Sequence, residues 1–520
     1  MKHDALFIGA DIGTSGAKIA LFNEKGEIIE ESHYSYNVYH PIPGWVEQDS
    51  NDWWKAFVNG VSKAVEKSGL KNKILGIGLT HQRLSFVPVD HNLQPLRPAI
   101  LWNDTRCFNE NKEAEDKCNG KWIFQRTGCY PGLWSVYKVL WMKNNERELY
   151  DKIDKIMLVF DFICHKLTGK MCTTESAAIM TGALDVKRKN KWALDVLECL
   201  GIRKNIWVET ILPGGIEAGK IQNEIAKEIG LPEGVVIATT AGDQPCGSLG
   251  AGLLKQDEVA VNGGTSCTLE VLSKDLPNLS KPSFFMEISP TGEYILEESI
   301  YSGGSALMNW FRKNFFRYEE ELIKTRSENI WEKLYSLAEE SPPGSRGVMI
   351  IPYFSGASAP FWDLSARGSI SGLALGTEKK DIVRAIIEGI AMEARRQLEF
   401  IEEATGRKIE KVIMYGGSAR SNVWNQIFAD VLQRKLVVPR TVETSALGAA
   451  ICAAVASGYY ESFKEAVENM TGISRIFEPN VIYKSLYNEI FEEVYKPFYG
   501  RISDLVSKLT KITSKMIKRR

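Results

Sequence analysis

The chain has 520 residues, of which 44% are apolar and 25% charged, and its net charge is −1. That length exceeds one hydrophobic core and most simply gives two large domains. The balanced charge excludes the electrostatic footprint of a nucleic-acid or anionic-membrane binder, and the nine cysteines contain no C-x-x-C pair of a metal or redox site.

In chain order, Ala5–Gly9 and Ala17–Phe22 read as the strands of an opening hairpin, and Asn23-Glu24-Lys25-Gly26 turns into a third run, Glu27–Glu31. Asp11 interrupts the first apolar run too early for a signal segment, so a cytoplasmic protein with reduced thiols is expected. Between the first two strands stands Asp11-Ile12-Gly13-Thr14-Ser15-Gly16-Ala17-Lys18. Glycine permits close approach to a ligand, and neighbouring N–H groups with Thr and Ser hydroxyls suit phosphate oxygens. Asp11 could hold Mg²⁺ through waters or simply cap its own turn, and Lys18 could face phosphates or solvent.

Trp53–Ser68 has helical periodicity, with Trp54, Phe57, Val58, Val61 and Val65 on one face. Ile74–Leu79 is a buried strand ending at Thr80-His81-Gln82-Arg83, and Phe86–Val89 and Pro98–Trp102 continue the strand pattern. His81, Gln82, Arg83, Trp102 and Asp104 offer donors, acceptors and an aromatic wall suited to a polyhydroxylated substrate. Each also has a structural reading: Arg106 could pair locally with Asp104, and Trp45, Trp53 and Trp54 read as core. Glu148–Leu167 looks helical. Val235–Thr240 is a buried strand ending at Ala241-Gly242-Asp243-Gln244, where a carboxylate at the strand end is placed for general-base work.

The second half repeats the opening: Val259–Val261, then Asn262-Gly263-Gly264-Thr265-Ser266, then Thr268–Leu272. Gly303-Gly304-Ser305, followed by Asn309, is a strand-to-helix junction. Lys379–Thr405 is a long helix, Lys411–Tyr415 a strand, and Gly416-Gly417-Ser418 leads through Asn422 into a helix to Gln433; such a turn suits a nucleotide. After a strand at Leu436–Val438 comes an Ala-rich helix, Glu443–Ser457. The uncharged stretch 444–460 is shorter than the ~20 residues of a membrane span and reads as a tightly packed helix. The basic end, 508–520, reads as a solvated helix terminus. Strands alternating with helices in both halves give an α/β fold. No GxxxxGK[ST] occurs, which argues against a P-loop enzyme.

Taken together, the two Gly-Thr-Ser turns, Pro43-Gly44-Trp45, Gly368-Ser369-Ile370-Ser371-Gly372-Leu373 and Gly416–Asp430 resemble, in order and spacing, the FGGY carbohydrate kinases of the actin-like ATPase superfamily, from about Leu6 to about Gly472. The resemblance implies two actin-like (ribonuclease H-like) domains closing on ATP and a sugar: residues 1–250, residues 257–480, and a helical tail over 481–520. It implies Asp243 as catalytic base, with Asp11 and Asp243 holding Mg²⁺. Gly13, Thr14, Ser15, Lys18, Gly264 and Thr265 would meet phosphates; Gly304, Asn309, Gly416, Gly417 and Asn422 the nucleoside; and His81, Gln82, Arg83, Trp102, Asp104, Asp243 and Gln244 the substrate. The partner is then a small sugar or polyol, with no nucleic acid and no membrane, and a homodimer is admissible.

Leu101-Trp102-Asn103-Asp104-Thr105-Arg106 resembles xylulokinases, whereas Gln82-Arg83, Asp243-Gln244 and Ala359-Pro360-Phe361-Trp362-Asp363 resemble glycerol kinases. The Glu that follows Gln-Arg in glycerol kinases is Leu84 here, and Leu133 stands near their tyrosine. Lost polar partners weaken a triol site, so D-xylulose is the expected substrate, with glycerol or another polyol as the alternative. An actin-like assembly or chaperone ATPase is the reading from a different class; the polar set at 81–83 and 102–106 speaks against it.

Overall fold

The computed structural model describes residues 4–325, 329–363 and 365–517; the last three residues of the basic end lie outside them. Contacts divide the chain into two compact units, one of residues 1–254, 272–296 and 443–472, the other of residues 255–271, 297–442 and 473–520. The linear division expected from sequence therefore differs at two segments, 272–296 and 443–472, which pack with the first unit.

In the first unit, β1 (Leu6–Ile12), β2 (Gly16–Asn23) and β3 (Ile28–Ser35) form an antiparallel meander. β4 (Ile74–His81) joins β1 in parallel, β6 (Val236–Ala238) joins β4 in parallel, and β5 (Glu217–Lys220) closes the edge antiparallel, giving the order β5-β6-β4-β1-β2-β3. Period-2 alternation splits β1 between two layers. Leu6, Ile8, Ala10 and Ile12 pack with Trp53, Phe57, Val61 and Val65 of α1 (Ser50–Ser68). Ala5 and Phe7 pack on the other face with Ala446, Leu447, Ala450 and Ile451. Asp49 caps α1 by accepting from the Asn51 N–H, and left-handed Gly69 ends it.

The glycines of β1 and β4 explain why the Ala-rich tract belongs to this unit. A Cβ on Gly9 would lie 1.9 Å from the Ala446 carbonyl oxygen, and one on Gly78 would lie 1.9 Å from that of Ala449. The helix over Thr444–Ala456 thus lies directly on the strand backbones, as only glycine beneath and alanine above allow.

In the second unit, β7 (Glu258–Gly263) and β8 (Cys267–Ser273) form a hairpin. β10 (Lys411–Tyr415) is parallel to β7, β11 (Lys435–Pro439) is parallel to β10, and β12 (Ile473–Phe477) is antiparallel to β11; the strand Phe285–Ile288, counted as β9, belongs to the first unit. Each unit thus pairs an N-terminal hairpin with parallel strands in a mixed sheet. The helices that matter below are α2 (Asp243–Gly250), α3 (Ser305–Phe315), α4 (Lys379–Thr405), α5 (Asn422–Leu432), α6 (Thr444–Ala456) and α7 (Lys496–Ile517).

Two expectations are corrected. Glu148–Leu167 is not one helix: after Arg147–Lys152 the chain forms the strand Lys155–Leu158, antiparallel to Phe86–Val89, and a helix restarts at Val159. The β-favouring run Ile156-Met157-Leu158 finds a partner strand, and the Asp161 carboxylate caps the new helix at the Leu158 N–H. The cysteines are not all reduced either: Cys118 and Cys199 form a disulfide, while the other seven are unbridged and buried. Among the described residues no helix is long and apolar enough to cross a membrane.

Candidate active site

The first unit gathers the chemistry at the carboxyl ends of β1, β4 and β6, where an α/β sheet opens a crevice. Asp11 stands in β1 opposite Lys18 of β2. Its Oδ1 is closed off from solvent and makes no hydrogen bond. Burial first, then the charges of Asp243 and Glu443, push its carboxyl from the ordinary 3.8 up to about 7, while Lys18 pulls the other way. Lys18 Nζ also pairs with the Glu443 carboxylate at 2.8 Å, just before α6. Asp11, with its orphaned buried oxygen, and Asp243 are hard-oxygen groups of the kind Mg²⁺ takes, directly or through its waters.

The turn Gly13-Thr14-Ser15 is held by side chains from three directions. The Tyr36 hydroxyl donates to the Gly13 carbonyl, Gln48 Nε2 donates to the Thr14 carbonyl at 2.5 Å, and Trp102 Nε1 donates to Thr14 Oγ1 at 3.0 Å. Gln48 in turn accepts from Trp53 Nε1 and from Gln82 Nε2, each at 2.9 Å. Gln82 also accepts from the Ser85 hydroxyl, which itself accepts the Trp102 N–H. One network, buried at Gln48, Gln82 and Ser85, therefore joins the phosphate-type turn to the proposed sugar wall.

Asp243 opens α2, where the helix N-terminus favours a carboxylate. Its Oδ1 accepts from the Gln244 N–H at 3.0 Å and lies 3.3 Å from Arg83 Nε. Ser445 Oγ of α6 donates to the Asp243 carbonyl at 2.9 Å, anchoring the helix start. Arg83 Nη1 also pairs with Glu287 of β9, a fully buried carboxylate. His81 is buried and held neutral by burial; its Nδ1–H donates to the Gln82 carbonyl at 3.0 Å, which leaves Nε2, itself without a partner, as an acceptor.

In the second unit the turn Gly264-Thr265-Ser266 follows β7. Its carbonyls are gripped by the start of α3: the Ser305 N–H donates to the Gly264 oxygen at 2.8 Å and the Ala306 N–H to the Thr265 oxygen at 3.2 Å. A Cβ on Gly304 would stand 2.2 Å from the Gly264 oxygen. After β10, Gly416 adopts φ +81° with its Cα against the Asn262 carboxamide, where a Cβ would come within 2.4 Å of Oδ1. Gly264, Thr265, Gly304, Gly416 and Gly417 thus cluster around one backbone turn, and Asn309 lies one turn into α3, partly exposed.

Models of the FGGY family of carbohydrate kinases match this chain over residues 6–250 (N-terminal domain) and 259–457 (C-terminal domain). The chain belongs to the FGGY family of carbohydrate kinases. It is 30% identical to a xylulose kinase of Staphylococcus epidermidis, over 98% of this chain and 99% of that one. It is also 30% identical to a glycerol kinase of Thermococcus gammatolerans, over 91% and 93% of the two chains. The crystal structure of a gluconate kinase from Lactobacillus acidophilus superposes with a TM-score of 0.88 at 24% identity, covering 98% of this chain and all of that one. The protein is thus a sugar phosphotransferase of two-domain α/β architecture.

Three residues expected to touch ligands in this kinase also have protein partners. Asp104 is fully buried, and both its oxygens are engaged, by the Val46 N–H and by the backbone N–H, Nε and Nη2 of Arg106. Arg106 stacks 3.8 Å from the Trp45 ring centroid. Gln82 is spent on the network under the first turn. Asn422 Oδ1 accepts from Arg475 Nη1 at 2.6 Å. Conversely, Tyr36, Gln48, Glu287 and Lys138 escaped the sequence reading. Lys138 Nζ is buried and donates to the Leu101 and Trp102 carbonyls at 2.6 and 2.8 Å, setting the direction of the Trp102 loop.

Proposed function

We propose that this kinase transfers the γ-phosphoryl group of ATP to the primary hydroxyl of a ketopentose, D-xylulose to D-xylulose 5-phosphate. The observation that carries the reading is the Asp243–Arg83 pair beside Asp11. Asp243 Oδ1 is occupied by Gln244 and Arg83, which leaves Oδ2 to take the hydroxyl proton as the oxygen turns toward phosphorus. Arg83 fixes the carboxylate plane so that little reorganisation remains at the moment of transfer. Trp102 walls the sugar and, through Thr14, ties it to the first phosphate turn. A Mg²⁺ held by Asp11 and Asp243 would supply charge neutralisation on the transferring group. Gly13, Thr14, Ser15 and Lys18 serve phosphates in residues 1–250, and Gly264, Thr265, Gly304, Gly416 and Gly417 serve nucleotide in residues 257–480.

The xylulose kinase of Staphylococcus epidermidis, similar over nearly its whole length, and Leu84 in place of an acid support the ketose. Arg83 and the equally similar glycerol kinase keep a polyol as the second reading. A coupled ADP-release assay with Mg-ATP over D-xylulose, L-xylulose, D-ribulose, L-ribulose, glycerol, erythritol and gluconate tests this. Selectivity for D-xylulose supports the first reading, selectivity for glycerol or erythritol the second, and ATP turnover that no panel member stimulates refutes both.

A further inference from the structure

Resting on that reading of the sugar side, we propose that Glu287 is a specificity-determining and positioning residue: it clamps Arg83 beside Asp243 and presents its second carboxylate oxygen to a substrate hydroxyl. Leu84 cannot supply that acceptor. Its φ of +62° turns the backbone over, its carbonyl is tied to Ser135 Oγ at 2.7 Å, and its side chain is apolar. The carboxylate arrives instead from β9, some two hundred residues away in sequence.

Four observations carry the assignment. Glu287 is fully buried, and its Oε1 is paired with Arg83 Nη1. The same guanidinium reaches Asp243 Oδ1 through Nε at 3.3 Å, so one arginine spans the two carboxylates. Its stem lies against Gly242, where a Cβ would stand 2.4 Å from Arg83 Cγ, so the arginine has this path because position 242 carries no side chain. Finally, Glu287 Oε2 is buried with no hydrogen-bond partner. A buried carboxylate oxygen left unpaired is costly unless something pairs with it, and a hydroxyl of a bound polyol or ketose is a donor of the right kind. Because a site built around a hydroxyl rejects analogues lacking it, this oxygen would set selectivity while Arg83 transmits the clamp to the base.

Glu287→Gln tests the idea, since the amide keeps an acceptor for Arg83 but replaces the second acceptor with a donor. Kinetics are taken per active site, with circular dichroism and thermal midpoint as folding controls. The expected result is a sugar KM raised about 10- to 100-fold, with the ATP KM within about twofold. Deoxy analogues of the preferred sugar locate the hydroxyl: for one of them, wild type and variant should converge. An unchanged sugar KM, or equal losses for every analogue, would overturn the proposal. If the wild type phosphorylates no panel sugar, the proposed function fails on its own. Calorimetric titration of wild type and Glu287→Gln with the same sugars, without nucleotide, then decides the role of Glu287: weaker binding by the variant supports it, and equal or no binding sinks it. Should Glu287→Gln not fold, Glu287→Asp, which withdraws the carboxylate by one methylene, is expected to raise the sugar KM about tenfold with the ATP KM within about twofold; an unchanged sugar KM would refute the assignment.

Discussion

Replacing Asp11 by asparagine should stabilise the ligand-free kinase at pH 8 while removing phosphoryl transfer. The folded protein holds the Asp11 carboxyl at about 7 instead of 3.8, mainly through burial and then through Asp243 and Glu443. Between about pH 4 and 7 the folded state therefore keeps a proton that the unfolded chain has released. Stability falls as pH rises across that window, and the full cost is present above pH 7. Moving a carboxyl from 3.8 to about 7 corresponds to at most about 4 kcal/mol. The residue as a whole is partly exposed, so about 1–3 kcal/mol is the working expectation. Asparagine keeps the shape and carries no charge. In thermal scans with EDTA, Asp11→Asn should melt several degrees above wild type at pH 8, and the gap should close toward pH 5. Added MgCl₂ should raise the wild-type midpoint at pH 8, because a ligand that binds only the folded state stabilises it, and should leave Asp11→Asn unmoved. A variant that melts below wild type at pH 8, or a gap that ignores pH, would refute the charge-frustration argument.

Asp243→Asn should lower kcat by at least about 10³-fold while ATP affinity, read by calorimetry, stays within about threefold; near-normal turnover would remove Asp243 as base. Trp102→Phe keeps an aromatic face but loses the Nε1 bond to Thr14, so kcat/KM should fall about tenfold for sugar and ATP together; an effect on sugar alone would mean the two ends of the network are not coupled. Lys138→Met should raise the sugar KM several-fold by releasing the Leu101 and Trp102 carbonyls, with the ATP KM little changed. Cys118→Ser opens a bridge spanning 81 residues, for which loop entropy gives about 4–5 kcal/mol; equal thermal midpoints with and without dithiothreitol would show that the bridge does not form in solution.

The central strands were legible because both their faces are apolar. β1 needs Leu6, Ile8, Ala10 and Ile12 for α1 and Ala5 and Phe7 for α6, so it reads as one continuous hydrophobic run. The Ala-rich tract announced tight packing, yet nothing local names its partner: Gly9 and Gly78 become meaningful only once they lie under Ala446 and Ala449. The strand Lys155–Leu158 was hidden for the same reason, since its pairing with Phe86–Val89 is a long-range fact. Within the site, motifs placed Asp11, Thr14, Arg83, Trp102 and Asp243 near strand ends correctly. Arg106 was legible as a local partner of Asp104, but the Val46 N–H on that carboxylate, and Gln48 and Ser85 on Gln82, were not, because hydrogen-bond partners carry no sequence period.

The two phosphate-type turns look alike in sequence but are supported by different physics. The second is held by backbone donors at the start of α3, so its shape depends on Gly304 having no side chain. The first is held by Tyr36, Gln48 and Trp102, all side chains, and Gln48 and Trp102 also belong to the network that reaches the sugar side. Substitutions at Trp102, Ser85 or Gln82 should therefore be felt at the first turn. On the proposed assignment of the sugar wall, a bound sugar would order Thr14 through Trp102 and so make the first turn the part of the site that responds to substrate.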